Sequence, residues 1–487
     1  MALTHSDIPA EELRTLLENR SLPILFVGIG GIFMRSLAEY AARLGYPVYG
    51  CDREESPAVD ALRAAGIFVT TRHAAENARG AGLLVYTLAV REDTPELLYA
   101  REHRIPAVSR AEFFGALMPH FHTRIGISGS HGKSGTTAKL ATVFRLAGRR
   151  PTVFCGATLP CGSPWVCGDE ETLIYEACEY RDSFLHFFPT LSVFLNLELD
   201  HPDYFRDLDA ITRSFLAAAD RSPVTVLNAD DENLRAVAEK TGSRVVLFGE
   251  GEAFDFGYRV REVSHGYVTF RAYEGGEALG DVTLGVAGRF QAVNATATIA
   301  AARLSGIPFS YLQAALVKDT GISRRLERLG TFCGRPVYYD YAHHPTEIRA
   351  VIRTVREMTG GEVTVIFSPH TYSRTVALFS EFAAALREAA FCILTPITSA
   401  RETPMPGVTS EALARAVGEC ALALPAVDAV PYARTHTRGA ILLLGAGDLT
   451  LPLAAIRSGA DGRVGNTDSG EIGEKSANPL DNPPRTV

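Results

Sequence analysis

Short apolar runs alternate with helical patterns along most of this chain. In residues 23–120 the runs include Pro23-Ile-Leu-Phe-Val-Gly28 and Gly82-Leu-Leu-Val-Tyr-Thr87, with helical periodicity between them. An alternation of this kind predicts parallel strands connected by crossover helices. The first 122 residues are therefore predicted to form a parallel α/β domain.

A second unit is predicted over residues 123–321. It has apolar runs at 124–127, 172–176 and 191–196, which indicate buried strands. Residues 256–285 instead alternate apolar and polar positions around Gly275-Gly276, a pattern typical of antiparallel hairpins. The pattern predicts a central α/β domain with an antiparallel β extension.

A third α/β unit is predicted over residues 322–459. Its strands are expected near 336–340, 363–367, 391–394 and 440–445, with helical patterns between them. From residue 460 to 487 the chain is too polar to offset the entropy of ordering, so a disordered tail is predicted.

Composition narrows the range of functions. The chain has 487 residues, 46% of them hydrophobic, which suits about three domains with buried cores. A net charge of −8 argues against a general nucleic-acid surface, and no apolar run is long enough to predict a membrane span. The first residues lack the basic and apolar segments of a signal peptide, so a cytoplasmic location is expected.

The chain has eight cysteines, four of which are close together in sequence. Cys155, Cys161, Cys167 and Cys178 contain no C-x-x-C pair, and their spacing fits neither a zinc ribbon nor a redox motif. The cysteines are therefore predicted to be free thiols.

The segment Gly126-Ile-Ser-Gly-Ser-His-Gly-Lys-Ser134 follows an apolar run and predicts a phosphate-binding loop. Its glycines let backbone N–H groups converge on a polyphosphate, while Lys133 adds a positive charge. The Ser134 hydroxyl is expected to bind Mg²⁺. Ile127 occupies the position of the first glycine in the common G-x-x-x-x-G-K-[ST] pattern, so the spacing is a variant of it.

A second glycine-rich turn, Gly28-Ile-Gly-Gly31, follows the first predicted strand, and Asp52 ends the next one. This spacing is compatible with an NAD site, with a tight βα turn that binds nothing, or with a helix N-terminus that binds another pyrophosphate such as that of a UDP-sugar. Phe33 replaces the third glycine of the dinucleotide pattern.

Together these motifs resemble the Mur ligases. Gly126–Ser134 matches G-I-[TS]-G-[TS]-[NH]-G-K-[TS] of that family, and Phe26-Val-Gly-Ile-Gly-Gly-Ile-Phe-Met34 is similar to its F-V-G-I-G-G-x-G-M opening. The similarity extends over residues 23–458. It implies an N-terminal Rossmann-like UDP-sugar domain (1–122), a central P-loop ATPase-like domain (123–321) and a C-terminal Rossmann-like amino-acid domain (322–459).

Within the family the motifs are most similar to those of members that join L-alanine to UDP-N-acetylmuramate. The resemblance implies ATP and Mg²⁺ as cofactors and these two small molecules as substrates, with a monomer or homodimer. A ligase that adds a preformed murein tripeptide to the same sugar nucleotide remains an alternative, because it shares these motifs. An NAD-dependent dehydrogenase and a non-catalytic nucleotide-binding regulator are alternatives from other classes.

The resemblance also assigns the nucleotide sites. The UDP-sugar is expected at the first glycine turn and at the segments His73-Ala-Ala-Glu-Asn77 and Ser109-Arg-Ala-Glu112, through Gly28, Ile29, Gly30, Gly31, Asp52, His73 and Arg110. ATP is expected at Gly129, Ser130, His131, Gly132, Lys133, Ser134, Gly135, Thr136, Asn294, Arg325 and Asp340. Gln291 replaces the first Asn of the G-x-[HF]-N-x-x-N segment that includes Asn294.

Four further segments imply the metal and amino-acid sites. Glu176-Ala-Cys-Glu-Tyr180 and Asn196-Leu-Glu-Leu-Asp-His-Pro-Asp203 imply metal ligation by Glu176 and His201, together with Ser134. Asp340-Tyr-Ala-His-His-Pro-Thr-Glu347 and Ser368-Pro-His-Thr-Tyr-Ser-Arg-Thr375 imply an amino-acid site. Its expected residues are His343, His344, His370 and Arg374, and the expected catalytic residues are Lys133, His344 and Arg325.

Overall fold

The computed structural model describes residues 8–400 and 402–459, and the strands in these ranges form three separate sheets. The α/β class with three sheet-centred units is confirmed, whereas the exact boundaries at residues 122 and 321 stay predictions. The predicted disordered tail, residues 460–487, lies outside the described residues. No helix in the described ranges is both long and apolar enough to cross a bilayer.

The first unit is a five-stranded parallel sheet with helices around it. Its strands are β1 (Ile24–Val27), β2 (Val48–Cys51), β3 (Phe68–Thr70), β4 (Leu83–Tyr86) and β5 (Ala107–Ser109). Its helices are α1 (Ala10–Leu16), α2 (Ile32–Arg43), α3 (Pro57–Ala64), α4 (Pro95–His103) and α5 (Arg110–Leu117). The strand order is β3-β2-β1-β4-β5. All residues of β1 and β4 are buried, which explains their continuous apolar sequences.

The second unit is a ten-stranded mixed sheet. Its strands are β6 (Thr123–Ser128), β7 (Thr152–Phe154), β8 (Trp165–Val166), β9 (Thr172–Glu176), β10 (Leu191–Phe194), β11 (Val224–Asn228), β12 (Arg244–Glu250), β13 (Phe256–Ser264), β14 (Tyr267–Glu274) and β15 (Glu277–Ala287). Its helices are α6 (Lys133–Leu146), α7 (Leu208–Ala219), α8 (Glu232–Ala238), α9 (Phe290–Leu304) and α10 (Phe309–Leu316). The strand order is β15-β14-β13-β12-β11-β10-β6-β9-β7-β8.

The predicted antiparallel extension is present at one edge of this sheet. Strands β13, β14 and β15 pair antiparallel, and Gly275 and Gly276 form the turn between the last two. Both glycines have positive φ values, 58° and 86°, which the tight turn requires. In the interior of the sheet, the phosphate-loop strand β6 lies between β10 and β9, so its carboxyl end is flanked by theirs.

The third unit is a six-stranded sheet. Its strands are β16 (Glu327–Phe332), β17 (Arg335–Asp340), β18 (Val363–Phe367), β19 (Phe391–Leu394), β20 (Ala421–Ala423) and β21 (Ala440–Leu444). Its helices are α11 (Pro345–Thr359), α12 (Tyr372–Ala377), α13 (Phe379–Leu386), α14 (Ser410–Val417), α15 (Ala426–His436) and α16 (Thr450–Ser458). The order is β16-β17-β21-β18-β19-β20, parallel except for the β16–β17 hairpin. Short 3-10 segments elsewhere in the chain are Ala75–Ala78, Met118–His120 and Tyr180–His186.

The first two units share one hydrophobic core. Phe114 of α5 packs edge-on against Phe154 of β7 and Tyr175 of β9, with ring centroids 5.0 and 5.5 Å apart. Tyr40 of α2 joins the same aromatic cluster, and the Trp165 indole N–H donates a hydrogen bond to the Glu39 carboxylate. The third unit has cores of its own. The first two units therefore pack as one body, against which the third is placed.

Candidate active site

A glycine-rich loop joins β6 to the N-terminus of α6. Gly129 and Gly132 have φ values of 138° and 83°, which glycine adopts at little cost. A Cβ atom on Gly132 would lie only 2.7 Å from Oδ1 of Asn294, so the close approach of α9 also requires glycine. The first N–H groups of α6 have no partner within the helix, and they suit a phosphate ligand.

The Asn196 side chain and the Glu198 backbone, which follow β10, hold this loop in place. The His131 N–H donates to Oδ1 of Asn196 over 2.8 Å, and Nδ2 of Asn196 donates to the His131 carbonyl over 3.1 Å. The Ser130 hydroxyl accepts from the Glu198 N–H over 2.9 Å and donates to the Glu198 carbonyl over 3.1 Å. The loop is therefore preorganised for its ligand.

A cavity of about 250 Å³ lies between the loop, α9 and the third unit. The residues predicted to bind ATP that line it are His131, Gly132, Gly135, Asn294, Arg325 and Asp340. Leu195, Phe290, Val293 and Leu326 provide apolar walls. The cavity combines an apolar wall with a phosphate loop and a guanidinium, as a purine nucleotide requires. The other predicted residues, Gly129, Ser130, Lys133, Ser134 and Thr136, lie in the adjoining loop and helix.

Two polar side chains of the cavity, those of Asp340 and Gln291, have defined surroundings. The Asp340 carboxylate accepts from the N–H groups of Leu326 and Ala342, both over 2.7 Å. Burial raises the pKa of Asp340 to about 6, although the Arg325 guanidinium lowers it. The Gln291 side-chain oxygen accepts a 2.9 Å hydrogen bond from the buried Lys139, which also forms an ion pair with Asp319. Gln291 therefore lines the cavity with its oxygen already engaged.

The Lys133 ammonium group lies against Glu179. Its Nζ donates to both carboxylate oxygens of Glu179, over 3.1 and 3.0 Å, and also contacts the Gly129 carbonyl. Burial alone would lower the pKa of Lys133, but the Glu179 carboxylate raises it. Lys133 is therefore charged at the mouth of the phosphate loop, as its predicted role requires.

Glu179, Asp200 and His201 bring three potential metal ligands together. Their ligand atoms lie within 4.8 Å of one another, with Nε2 of His201 at 3.7 Å from Glu179 and 3.8 Å from Asp200. Glu176, the acid expected at this position, is not in the cluster. Its carboxylate instead accepts from the Gly156 N–H and from the Cys155 thiol, the latter over 3.0 Å.

The donor set fits a divalent cation. Two carboxylates supply the oxygen ligands that Mg²⁺ prefers, and imidazole is an acceptable third ligand for Mg²⁺ or Mn²⁺. The sequence analysis predicts His201 as a ligand but does not include Glu179 or Asp200. The signal was present, because Glu179 is the second acid of the segment that contains Glu176, and Asp200 directly precedes His201.

We expect Glu179→Gln and His201→Ala each to raise the Mg²⁺ concentration needed for half-maximal turnover. The increase should be at least the roughly 10–100-fold that loss of an outer-sphere partner costs. Glu176→Gln is the comparison, and Mg²⁺ titration of phosphate release at saturating substrates is the measurement. Unchanged titrations for Glu179→Gln and His201→Ala would contradict this cluster, and a shift for Glu176→Gln alone would support the sequence assignment.

Glu198 of the second unit connects the phosphate loop to the third unit, because its carboxylate contacts both His131 and His344. One Glu198 oxygen lies 2.9 Å from Nδ1 of His344 and accepts a 2.8 Å hydrogen bond from the Thr346 hydroxyl. His131 lies between Glu198 and Glu347, at 3.2 and 3.4 Å. Burial alone would lower the pKa of His131, but these two carboxylates raise it to about 10. A charged His131 thus links the two units.

Arg374 of α12 forms a buried ion pair with Asp200 across the same boundary. Its Nε and Nη2 atoms lie 3.0 and 2.9 Å from one Asp200 oxygen, and both residues are at most 5% exposed. Its Nη1 atom is 3.4 Å from Nδ1 of His370. The structure thus brings the predicted amino-acid residues Arg374 and His370 together, and one edge of the guanidinium is taken by Asp200.

His343 lies beside this pair. Its Nδ1 is 3.0 Å from the Tyr341 carbonyl, which can only accept, so Nδ1 carries the proton and Nε2 is left as an acceptor. Burial lowers the pKa of His343 to about 3, so the imidazole is neutral at physiological pH. A neutral acceptor at this position can accept a hydrogen bond from an N–H group of a ligand.

The first glycine turn forms an intact βα loop. Gly28 has a φ of 78°, and the Gly30 N–H donates to Oδ2 of Asp52 over 2.7 Å. The other Asp52 oxygen accepts from the Arg53 N–H over 2.7 Å. Ile29 is fully buried, so this residue offers only its backbone to a ligand. Asp52 thus shapes the loop, and Gly31 caps the N-terminus of α2.

The other two residues predicted for the UDP-sugar lie around this loop. Nδ1 of His73 is 3.1 Å from the fully buried Glu96, which also accepts from Asn77 and from the Ala74 N–H. Arg110, the first residue of α5, stacks on the Phe33 ring at the start of α2. All eight cysteines are free thiols, as predicted.

Three family models match consecutive parts of the chain. They are described as the Mur ligase family catalytic domain (residues 23–122), the Mur ligase middle domain (127–302) and the Mur ligase glutamate ligase domain (324–455). The three matches follow the order of the three sheets and include the phosphate loop, the acidic cluster and Arg374.

Similar proteins cover most of the chain. A UDP-N-acetylmuramate–L-alanine ligase from Caldicellulosiruptor bescii is 39% identical over 80% of this chain and 86% of its own length. One from an Anaeromyxobacter species is 36% identical over 90% of this chain and 97% of its own length. The crystal structure of UDP-N-acetylmuramate–alanine ligase from Thermotoga maritima has a TM-score of 0.75 and 27% identity, covering 90% of this chain and 98% of that one.

Proposed function

The chain belongs to the Mur ligase family, and from this premise we propose that it joins L-alanine to the lactyl carboxylate of UDP-N-acetylmuramate at the expense of ATP. The product is UDP-N-acetylmuramoyl-L-alanine, a precursor of peptidoglycan. One observation carries the proposal. The phosphate loop, the Glu179–Asp200–His201 cluster and Arg374 of the third unit meet at one place.

The proposed reaction begins with carboxylate activation. A lactyl carboxylate oxygen attacks the γ-phosphorus of ATP, the bond to the β-γ bridging oxygen breaks, and ADP leaves behind an acyl phosphate. Lys133 and Arg325 supply fixed positive charge for the phosphoryl oxygens in the transition state. Glu179, Asp200 and His201 would hold Mg²⁺, which adds charge neutralisation for the same oxygens.

The second step forms the amide. The neutral amine of alanine attacks the acyl carbon, and the tetrahedral intermediate expels inorganic phosphate. Nε2 of His343 is an acceptor that can orient the amine, and the expelled phosphate can take up the proton that the amine loses. Nη1 of Arg374 and the adjoining N–H of Nη2 are the donors not engaged by Asp200, and they suit the alanine carboxylate. We expect the third unit, which carries His343 and Arg374, to exclude water from the acyl phosphate when it closes on the second unit.

The tripeptide-adding ligase is the alternative within the family. A murein peptide ligase from Psychrobacter arcticus has a TM-score of 0.67 with 21% identity, which shows a shared fold only. A dehydrogenase is disfavoured because it leaves the phosphate loop and the acidic cluster without a role. A non-catalytic regulator would bind ATP without releasing phosphate.

ATP and nucleotide-activated sugars are cytoplasmic metabolites, so we also propose that the reaction takes place in the cytoplasm.

We expect L-alanine to be preferred over glycine, serine and the L-Ala-D-Glu-diamino-acid tripeptide. A missing methyl or an added hydroxyl should reduce kcat/KM by about 10–200-fold. The measurement is steady-state phosphate release with UDP-N-acetylmuramate, ATP and each acceptor at matched concentrations. A higher kcat/KM for the tripeptide would replace this proposal with the tripeptide-adding reaction, and ATP binding without phosphate release would favour the regulator.

A further inference from the structure

Phe33 occupies the position of the last glycine in the family segment F-V-G-I-G-G-x-G-M, and its ring is placed between the first two units. Its centroid lies 5.2 Å from that of Phe114 and 5.6 Å from that of Phe154, which belongs to the second unit. Phe33 is therefore fixed by rings on two sides. Its substitution for glycine does not disturb the turn, since Gly28, Gly30 and Asp52 keep the loop geometry described above.

The side chain of Arg110 lies over this ring. The guanidinium carbon is 4.8 Å from the Phe33 centroid, within the range of a cation–π contact. Among the described residues, no carboxylate forms an ion pair with Arg110, and the nearby group that interacts with it is the Cys178 thiol. A half-buried guanidinium with five donors and no acidic partner is suited to an anionic ligand.

The position of Arg110 indicates which anionic group of a ligand it binds. Cys178 lies between Glu176 and Glu179 in sequence, and Glu179 binds Lys133 of the phosphate loop. Phe33 lies in the first turn of α2, which begins at the glycine turn expected to receive the pyrophosphate. Arg110 contacts Phe33 beside the sugar-nucleotide loop on one side, and on the other it interacts electrostatically with Cys178, which also interacts with Lys133 of the phosphate loop. The lactyl carboxylate must occupy that region if it is to attack ATP.

We propose that Arg110 binds the lactyl carboxylate of the UDP-sugar and that Phe33 is the positioning residue that holds its guanidinium. The inference rests on the proposed function. It adds a role for Phe33, a position at which the family pattern has glycine. A flat ring under the guanidinium restricts its rotation and keeps the planar fork presented edge-on to a carboxylate, the geometry of a bidentate contact. Glycine at position 33 would leave the arginine without this support.

The Arg110 part is tested with two nucleotide sugars. Dissociation constants of UDP-N-acetylmuramate and UDP-N-acetylglucosamine, which lacks the lactyl group, are measured by calorimetry without ATP or alanine. Arg110→Gln is expected to weaken binding of the muramate by roughly 10–100-fold, as loss of a charged hydrogen bond does, and to leave the glucosamine compound within about twofold. Equal weakening for both sugars would assign Arg110 to the pyrophosphate and overturn the proposal. Unchanged binding of both would also overturn it.

The Phe33 part is tested by a series at one position. Phe33→Leu, which keeps the apolar volume without the π-face, is expected to raise the muramate Kd and KM by roughly 3–30-fold with little change in kcat. Phe33→Tyr should restore wild-type values. Phe187→Leu removes another ring of the same cluster, one that packs on Phe114 and Tyr175 rather than on Phe33 or an arginine. It should lower the Tm without changing the preference for the muramate over the glucosamine compound.

The outcomes separate this inference from the proposed function. If wild-type protein binds UDP-N-acetylmuramate and releases phosphate with alanine but Phe33→Leu matches wild type in Kd, the positioning role is wrong and the function stands. A similar shift for Phe33→Leu and Phe187→Leu would show a packing effect and also refute the role. Wild-type protein that fails to bind UDP-N-acetylmuramate would refute both.

Discussion

Lys133→Ala is expected to reduce ligation by at least about 100-fold, because it removes a positive charge from the transferring phosphoryl group. The structure adds a second consequence. Glu179 is fully buried, and it would be left without the ammonium group that now contacts both of its oxygens. Part of any loss could then arise from a disturbed site, since an unpaired buried charge is costly.

Three measurements separate these effects. Phosphate release gives the activity, thermal unfolding gives the stability, and the double variant Lys133→Ala/Glu179→Gln removes both charges. The double variant should regain the stability of wild type and stay inactive. Lys240→Ala, at an exposed lysine of the same unit, is the matched control and should behave as wild type. Activity of Lys133→Ala within a few-fold of wild type would exclude the proposed phosphate-loop chemistry.

Asp200→Asn is expected to have the second largest effect, through the contact between the second and third units. It leaves the guanidinium of Arg374 buried without its counter-charge, and breaking a buried pair in this way costs about 3–5 kcal/mol. We expect this change to destabilise the arrangement in which the second and third units are in contact, because Asp200 belongs to one unit and Arg374 to the other. Turnover should drop by roughly 100-fold or more, and the radius of gyration measured by small-angle X-ray scattering should increase.

Asp200 also belongs to the candidate metal cluster, so the test must distinguish the two roles. If the loss came from weaker metal binding, high Mg²⁺ would restore turnover, whereas an opened protein would stay slow. The double variant Asp200→Asn/Arg374→Gln should lose less than the sum of the single variants, since a shared contact is removed only once. Asp209→Asn, at an exposed position nearby on α7, is the control. Full additivity and an unchanged radius of gyration would contradict an interdomain role.

Much of the fold follows from the sequence because each strand of a sheet covered on both faces is a short continuous apolar run. Strands β1, β4, β9 and β10 have this character, and each was predicted. The strands that escaped prediction, such as β8 and β20, have two and three residues that are only partly buried. Their sequences carry too little apolar signal to distinguish them from loops.

The candidate site was predicted in parts. Loops that bind phosphate through the backbone need glycine at fixed positions, so the regions around Gly30 and Gly132 were visible in the sequence. The roles of Glu179, Glu198 and Asp200 depend on which side chains face them from other parts of the chain. The spacing of residues within one sequence motif does not show which side chains from other motifs lie next to them. For the same reason the sequence suggested Arg374 for a substrate carboxylate and did not reveal its contact with Asp200.

The aromatic core shared by the first two units has a thermodynamic consequence. Because Phe114, Phe154 and Tyr175 cannot separate without exposing a large apolar surface, these two units should unfold as a single cooperative block. The third unit has its own cores and can lose its structure separately. A sugar nucleotide bound only to the first unit therefore stabilises the second by mass action as well, and the third unit gains this protection only through contacts made on closure.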